Sequence, residues 1–263
     1  DVYKRQAPLQ HGVGMPMAIA CVLVCGAAAG FFNGWLVTRL QLPSLAVTIG
    51  TMALYRGITY IMLGDEAIAD FPTDYTSFAL GNLEGTFLPL TYVYLLIPLA
   101  LVFIAVLQWS GLGRVIYAMG ANETAVRFSG IDVARIKLRL FVVSGVMSAL
   151  AGVVYTLRFS SARADNGMGF ELNVVAAVLF GGISIFGGRG TIVGVLLSVL
   201  IIGVLNNALT LFDISNEILT IVTGMLLLSS VLVPNLINRW RQAQSRRAAL
   251  QALASSSTPP IHS

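Results

Sequence analysis

Charge is scarce in this sequence. Only 11% of its 263 residues are Asp, Glu, Lys or Arg, against about 25% in soluble domains. That deficit, with 56% hydrophobic residues and a mean hydropathy of +0.82, excludes an ordinary water-soluble globule and makes lipid the main solvent. Histidine is nearly missing. His11 and His262 both lie in the tails, so an imidazole-based catalytic centre within the apolar body is excluded. Cysteine is limited to Cys21 and Cys25, four apart inside one apolar run. They read as small packing residues, because metal ligation needs further ligands at suitable spacing. Lysine occurs only at Lys4 and Lys137, so the Gly-rich stretch at residues 181–190 is not a GxxxxGK[ST] phosphate loop. It reads as a tight helix-to-helix turn. No pair of carboxylates lies within an apolar run, and no nucleophile–base pair or metal cluster is visible. The net charge of +4 reads as membrane orientation, since nucleic-acid binding calls for a basic face with aromatics on a soluble domain.

What is present is a series of apolar runs near the roughly 20 residues of a bilayer crossing. They fall at residues 14–38, 44–63, 89–109, 141–157, 171–186, 191–212 and 218–233. The expected fold is therefore an all-α polytopic membrane protein with about seven transmembrane segments. In the first run Gly26, Gly30 and Gly34 form a doubled small-xxx-small stripe that lets another helix approach closely. Asn33 shares that tract, and either packs there or lines a pathway. Arg56 falls late in the second run, where it either snorkels to the interface or serves a function at depth. Polar residues at membrane depth are mostly neutral: Asn33, Thr48, Thr51, Asn206 and Asn207. That suits a neutral, hydroxyl-rich solute, and equally suits plain helix packing.

The one long basic interruption is residues 111–140, with Arg114, Arg127, Arg135, Lys137 and Arg139 opposed only by Glu123 and Asp132. A short loop of that composition stays in the cytoplasm. Within it lies a compact helical cassette. Asn122 can cap its start, Glu123 suits the positive end of its dipole, and Gly130 can take the left-handed conformation that ends it. Residues 64–88 are the mirror image, with Asp65, Glu66, Asp70, Asp74 and Glu84 and no Lys or Arg. They are expected outside, as a solvated loop or a landing surface for an extracytoplasmic partner. Arg158 and Arg163 count against this parity but not against the overall bias. Arg189 and the tail cations Arg239, Arg241, Arg246 and Arg247 fall inside, which makes the C-terminus cytoplasmic. The expected organisation is residues 1–13 as a non-native or truncated end, 14–237 as the membrane domain, and 238–263 as a basic, then Ser/Pro-rich tail.

The string GLGRVIYAMGANETAVRFSGIDVARIKL closely resembles the cytoplasmic loop of permease subunits of sugar-importing ABC transporters, the ribose/xylose/rhamnose/autoinducer-2 group. LPSLAVTIGTMALYRG, GFELNVVAAVLFGGISIFGGRGTIVG and LNNALTLF extend the resemblance, in the same order, over nearly all of residues 14–234. The resemblance implies that residues 121–130 form the coupling helix that sits in a groove of a separate ATPase subunit. Those residues are Ala121, Asn122, Glu123, Thr124, Ala125, Val126, Arg127, Phe128, Ser129 and Gly130. Glu123 and Arg127 are the expected polar contacts, Val126 and Phe128 the apolar ones. Asn33, Asn206 and Asn207 are the expected pathway residues. The chain itself is then a non-catalytic transport subunit of the bacterial inner membrane. It has no cofactor of its own, and ATP and Mg sit on the partner ATPase. A periplasmic or lipid-anchored sugar-binding protein and a second permease copy or sister permease complete the partners, with membrane lipid and without nucleic acid. Family members usually begin with further helices, including a segment ending in a GIDLSVG-like motif. Its absence here implies a fragment lacking about three of the family's usual ten crossings. General likeness favours rhamnose or autoinducer-2 as solute. The alternatives are a branched-chain amino acid ABC permease and, further off, an ion-driven secondary carrier, which calls for intramembrane carboxylates or inverted repeats.

Overall fold

A computed structural model of the chain describes residues 14–64, 66–69, 71, 73–81, 90–184 and 187–212, with helical positions at 218, 221–222, 224–225, 228–229 and 232. The expected crossing at 218–233, the tail and residues 1–13 lie largely or wholly outside the described residues. The described residues are overwhelmingly helical, and they carry no β-ladder beyond one isolated bridge. This is an all-α polytopic membrane protein. Two compact units divide the chain, Asp1–Asn166 and Gly167–Ser263.

The first unit begins with α1 (Met15–Arg39) and α2 (Ser44–Leu63), within a residue of the first two apolar runs. The turn between them is short because Gln41 takes a left-handed φ of 54° and Pro43 starts the next helix. The short helix α3 (Thr73–Leu80) interrupts the stretch expected to be an acidic loop. The third run is helical but irregular. Widened π turns at Tyr92–Leu96 and Ala105–Trp109 flank α4 (Ile97–Ile104). At Ser110 the chain bends by 71° into α5 (Gly111–Ala121). Gly113 permits the bend, since a Cβ there would meet the carbonyl of Leu107. Ser110 Oγ caps α5 by accepting from the Gly113 amide at 3.3 Å. The cassette helix α6 (Glu123–Phe128) follows, then α7 (Val133–Phe159). Residues 111–140 are thus three helices with short joints rather than a loop, and the fourth apolar run is helical from Val133 instead of residue 141.

The core of this unit is the antiparallel pair α1–α7. An added Cβ at Gly26 would fall 2.5 Å from Ala149 Cβ and 2.6 Å from the Gly145 carbonyl; at Gly34 it would fall 2.9 Å from a Leu138 methyl. Gly30 abuts the Phe141 carbonyl, and Gly145 abuts that of Gly26. The glycine stripe therefore serves backbone-close packing, with Gly145 as its partner across the seam. Close approach of this kind supplies dispersion contacts where lipid removes the hydrophobic drive between helices. Tyr55 Oη on α2 donates to the Ala29 carbonyl on α1 at 3.4 Å, a polar link between the two helices. At the far end, Ile68 and Ala162 exchange two backbone hydrogen bonds of 2.9 Å, tying the segment after α2 to the segment after α7.

The second unit contains α8 (Phe170–Phe180) and α9 (Ile192–Leu211). The fifth apolar run thus holds a helix of 11 residues, shorter than a crossing. The α8–α9 turn is glycine-driven as expected. Gly182, Gly187 and Gly188 take φ of 85°, 84° and 73°, and Gly181 lies against the backbone of Val195. The buried Ser198 hydroxyl on α9 donates to the Ala177 carbonyl on α8.

Among the described residues four helices, α1, α2, α7 and α9, are long and apolar enough to cross a membrane, or five with the bent pair counted as one span. Only 6–11% of the most apolar stretch of each is buried within the chain. Apolar patches of that extent are not left facing water in a monomeric soluble protein.

Candidate functional site: the capped cassette at one end of α7

The cassette is built by local chemistry. Asn122 has an extended backbone, φ −155° and ψ 96°, and its Oδ1 accepts from the Ala125 amide at 3.0 Å. That side chain satisfies one of the orphan amides of the first helical turn. Ser129 closes α6 by donating from Oγ to the Val126 carbonyl at 2.7 Å, and Gly130 follows with φ 84°. Asp132 then caps α7: Oδ1 accepts from the Arg135 amide at 3.1 Å, and Oδ2 pairs with Arg135 Nε at 2.8 Å. Two helices are therefore capped within eleven residues, and α6 sits between two non-helical joints.

The antiparallel seam fixes which parts share an end. The C-terminus of α1, the α1–α2 turn and the cassette all lie at one end of the first unit. The Ile68–Ala162 bridge and the Arg163–Asp165 pair lie at the other. Between the α1–α2 turn and the cassette is a cleft of about 810 Å³, whose lining includes Val37, Gln41, Leu42, Glu123, Arg127, Asp132 and Lys137.

The side chains expected to meet a partner divide. Phe128 is 88% exposed, whereas Val126 is 7% exposed. Val126 is turned into the chain, so Phe128 alone carries the exposed apolar surface among the two. Arg127 is exposed and lines the cleft. Glu123 is exposed too, but its Oε2 accepts from Lys137 Nζ at 2.6 Å. Lys137, counted in the sequence only as one cation among five, is thus part of the site. The signal was present as a charge of opposite sign fourteen residues away, but that spacing has meaning only once the α6–α7 turn is known.

Asn33 lies on α1 in the first unit, with Oδ1 buried and unpartnered among the described residues. On α2 the buried Thr51 hydroxyl donates to the Val47 carbonyl at 2.9 Å. Asn206 and Asn207 lie on α9 in the second unit. Asn206 is half-buried and its carbonyl accepts from Thr210 Oγ1 at 2.8 Å; Asn207 is exposed. At the far end, Arg163 Nε donates to Asp165 Oδ1 at 2.9 Å. That hydrogen bond holds the Asp165 carboxyl below its usual range.

Residues 3–231 match the family described as branched-chain amino acid transport system / permease component. The chain belongs to that permease family. Among similar proteins, a ribose import permease protein of Haemophilus influenzae is 38% identical over 83% of this chain and 68% of its own length. A D-allose transport system permease protein of Escherichia coli is also 38% identical, over 84% of this chain and 67% of its own. An autoinducer 2 import system permease protein of Yersinia enterocolitica is 32% identical over 96% and 69%. No solved structure matches. The permease is thus a transport component whose described residues hold a helical membrane body and a capped cassette at one end. Among those residues no group of His, Cys, Asp and Glu is arranged to hold a metal.

Proposed function

We propose that this permease forms the translocation pathway of an ATP-driven importer for a small hydroxylated solute, and that residues 121–130 couple it to a separate ATPase subunit. The observation that carries the reading is the cassette: a six-residue helix, capped at its start, exposing Phe128 and Arg127 within the basic stretch of residues 111–140. Neutral residues at membrane depth support an uncharged solute. The relatives, import permeases for ribose, D-allose and autoinducer 2, support the class. Asn33, Asn206 and Asn207 are the proposed pathway residues; amide groups both donate to and accept from hydroxyls.

ATP and Mg belong to the ATPase. A binding protein delivers solute at the Ile68–Ala162 end, and a second permease, the same chain or a sister, completes the pathway. In this arrangement the cassette and the C-terminus are cytoplasmic in the bacterial inner membrane, because eleven of the sixteen cations then lie inside.

The test is uptake in vesicles containing the permease with its ATPase and binding protein. A panel of labelled ribose, allose, rhamnose, autoinducer 2 and leucine is offered with and without ATP. ATP-dependent entry of one of the hydroxylated solutes is expected. Entry of leucine alone establishes the amino acid permease instead, and entry driven by an ion gradient without ATP overturns the importer reading.

A further inference from the structure

The cassette is held unequally on its two sides. Toward the α1–α2 turn it faces the cleft of about 810 Å³, which leaves space where packed side chains would otherwise brace it. Asn122 is extended and Gly130 is left-handed, so a helix of six residues lies between two non-helical joints, with Val126 buried beneath it. The Asn122 and Asp132 caps act within one helix each and do not cross from α6 to α7.

One polar tie does cross. Lys137 Nζ, in the second turn of α7, donates to Glu123 Oε2 at 2.6 Å. Among the described residues it is the one ion pair joining the cassette to α7. From α7 the connection is stiff, because Gly26, Gly30 and Gly34 of α1 pack backbone-close along residues 138–149. Glu123, Lys137 and the α1–α7 seam therefore form a continuous line from the cassette into the membrane body.

We propose that Lys137 is a positioning residue for energy coupling: through Glu123 it fixes the direction of the cassette on α7, so that displacement of the cassette moves α7 and α1 together. This rests on the importer reading of the cassette. An exposed ion pair contributes little to stability, so its loss leaves insertion and melting unchanged. What is lost is direction. A pivoting cassette absorbs the ATPase stroke instead of transmitting it.

Two measurements on the full chain test the role. In vesicles with the ATPase and binding protein, Lys137→Met is expected to lower solute moved per ATP hydrolysed by about fivefold or more, the scale of a typical coupling between sites. Lys137→Arg, which keeps the cation, is expected to retain the wild-type ratio. In the detergent-solubilised permease, pulsed electron resonance between labels at Thr124 and Ser144 reads the spread of cassette positions. Lys137→Met is expected to broaden that distribution and Lys137→Arg to leave it narrow. A wild-type transport ratio in Lys137→Met, or an unbroadened distance in it, overturns the positioning role while the importer reading stands. If wild-type vesicles show no ATP-dependent uptake of any solute, both fall.

Discussion

At Gly30 a single added methyl group would meet the Phe141 carbonyl, with Val142 Cα only 3.0 Å away. Both neighbours are backbone, so relief requires α1 and α7 to separate. Gly30→Ala is expected to destabilise the permease by about 1–3 kcal/mol, the usual range for overpacking, read as a lowered melting temperature in detergent. Asn122 acts through one hydrogen bond. Asn122→Ala leaves the Ala125 amide without its cap, a loss of about 1 kcal/mol to the helix, and hydrogen exchange at Ala125 is expected to accelerate while the α1–α7 seam stays protected. At the other end the Asp165 carboxyl is held below its ordinary value by the hydrogen bond from Arg163. A depressed carboxyl contributes fully above the unfolded value of about 3.9 and fades only as pH falls through the lower folded one. The Arg163–Asp165 pair is therefore expected to persist at about pH 5, well above that range. A carboxyl shift of Asp165 that titrates above the model-peptide value contradicts this.

At the scale of elements, α7 explains both what was readable in the sequence and what was not. Runs of lipid-facing residues marked α1, α2 and α9 to within a residue, because burial in lipid imposes one hydropathy on the whole helix. The helix α7 has 27 residues and spans about 40 Å at 1.5 Å per residue, against a hydrocarbon core of about 30 Å. Its first two turns extend beyond the apolar part and carry Arg135, Lys137 and Arg139. Hydropathy assigns those turns to a loop, although nothing breaks the helix there. The cassette was legible from Asn122, Glu123 and Gly130, since caps are local chemistry. Its tie to Lys137 was not, because it depends on how the α6–α7 turn folds back. The inward turn of Val126 was hidden for the same reason. Gly113→Val places a side chain against the Leu107 carbonyl and is expected to open the 71° break. The measure is the distance between labels at Val106 and Met119; an unchanged distance contradicts the role of Gly113.

For the whole molecule, the decisive feature is how little of its apolar surface the chain buries. Exposed residues such as Ile61 at 87%, Leu211 at 80% and Trp109 at 79% need lipid or neighbouring helices, as a permease component requires. Within the first unit the glycine seam of α1 and α7 leads toward the end that carries the capped cassette. The proposed point of entry for the ATPase stroke is that cassette. The most direct test replaces residues 121–130 by a Gly/Ser segment and follows ATP-dependent uptake in vesicles with the ATPase and binding protein. The permease is expected still to insert while uptake and its linked ATP hydrolysis are lost. Uptake at the wild-type rate through the replaced segment contradicts it.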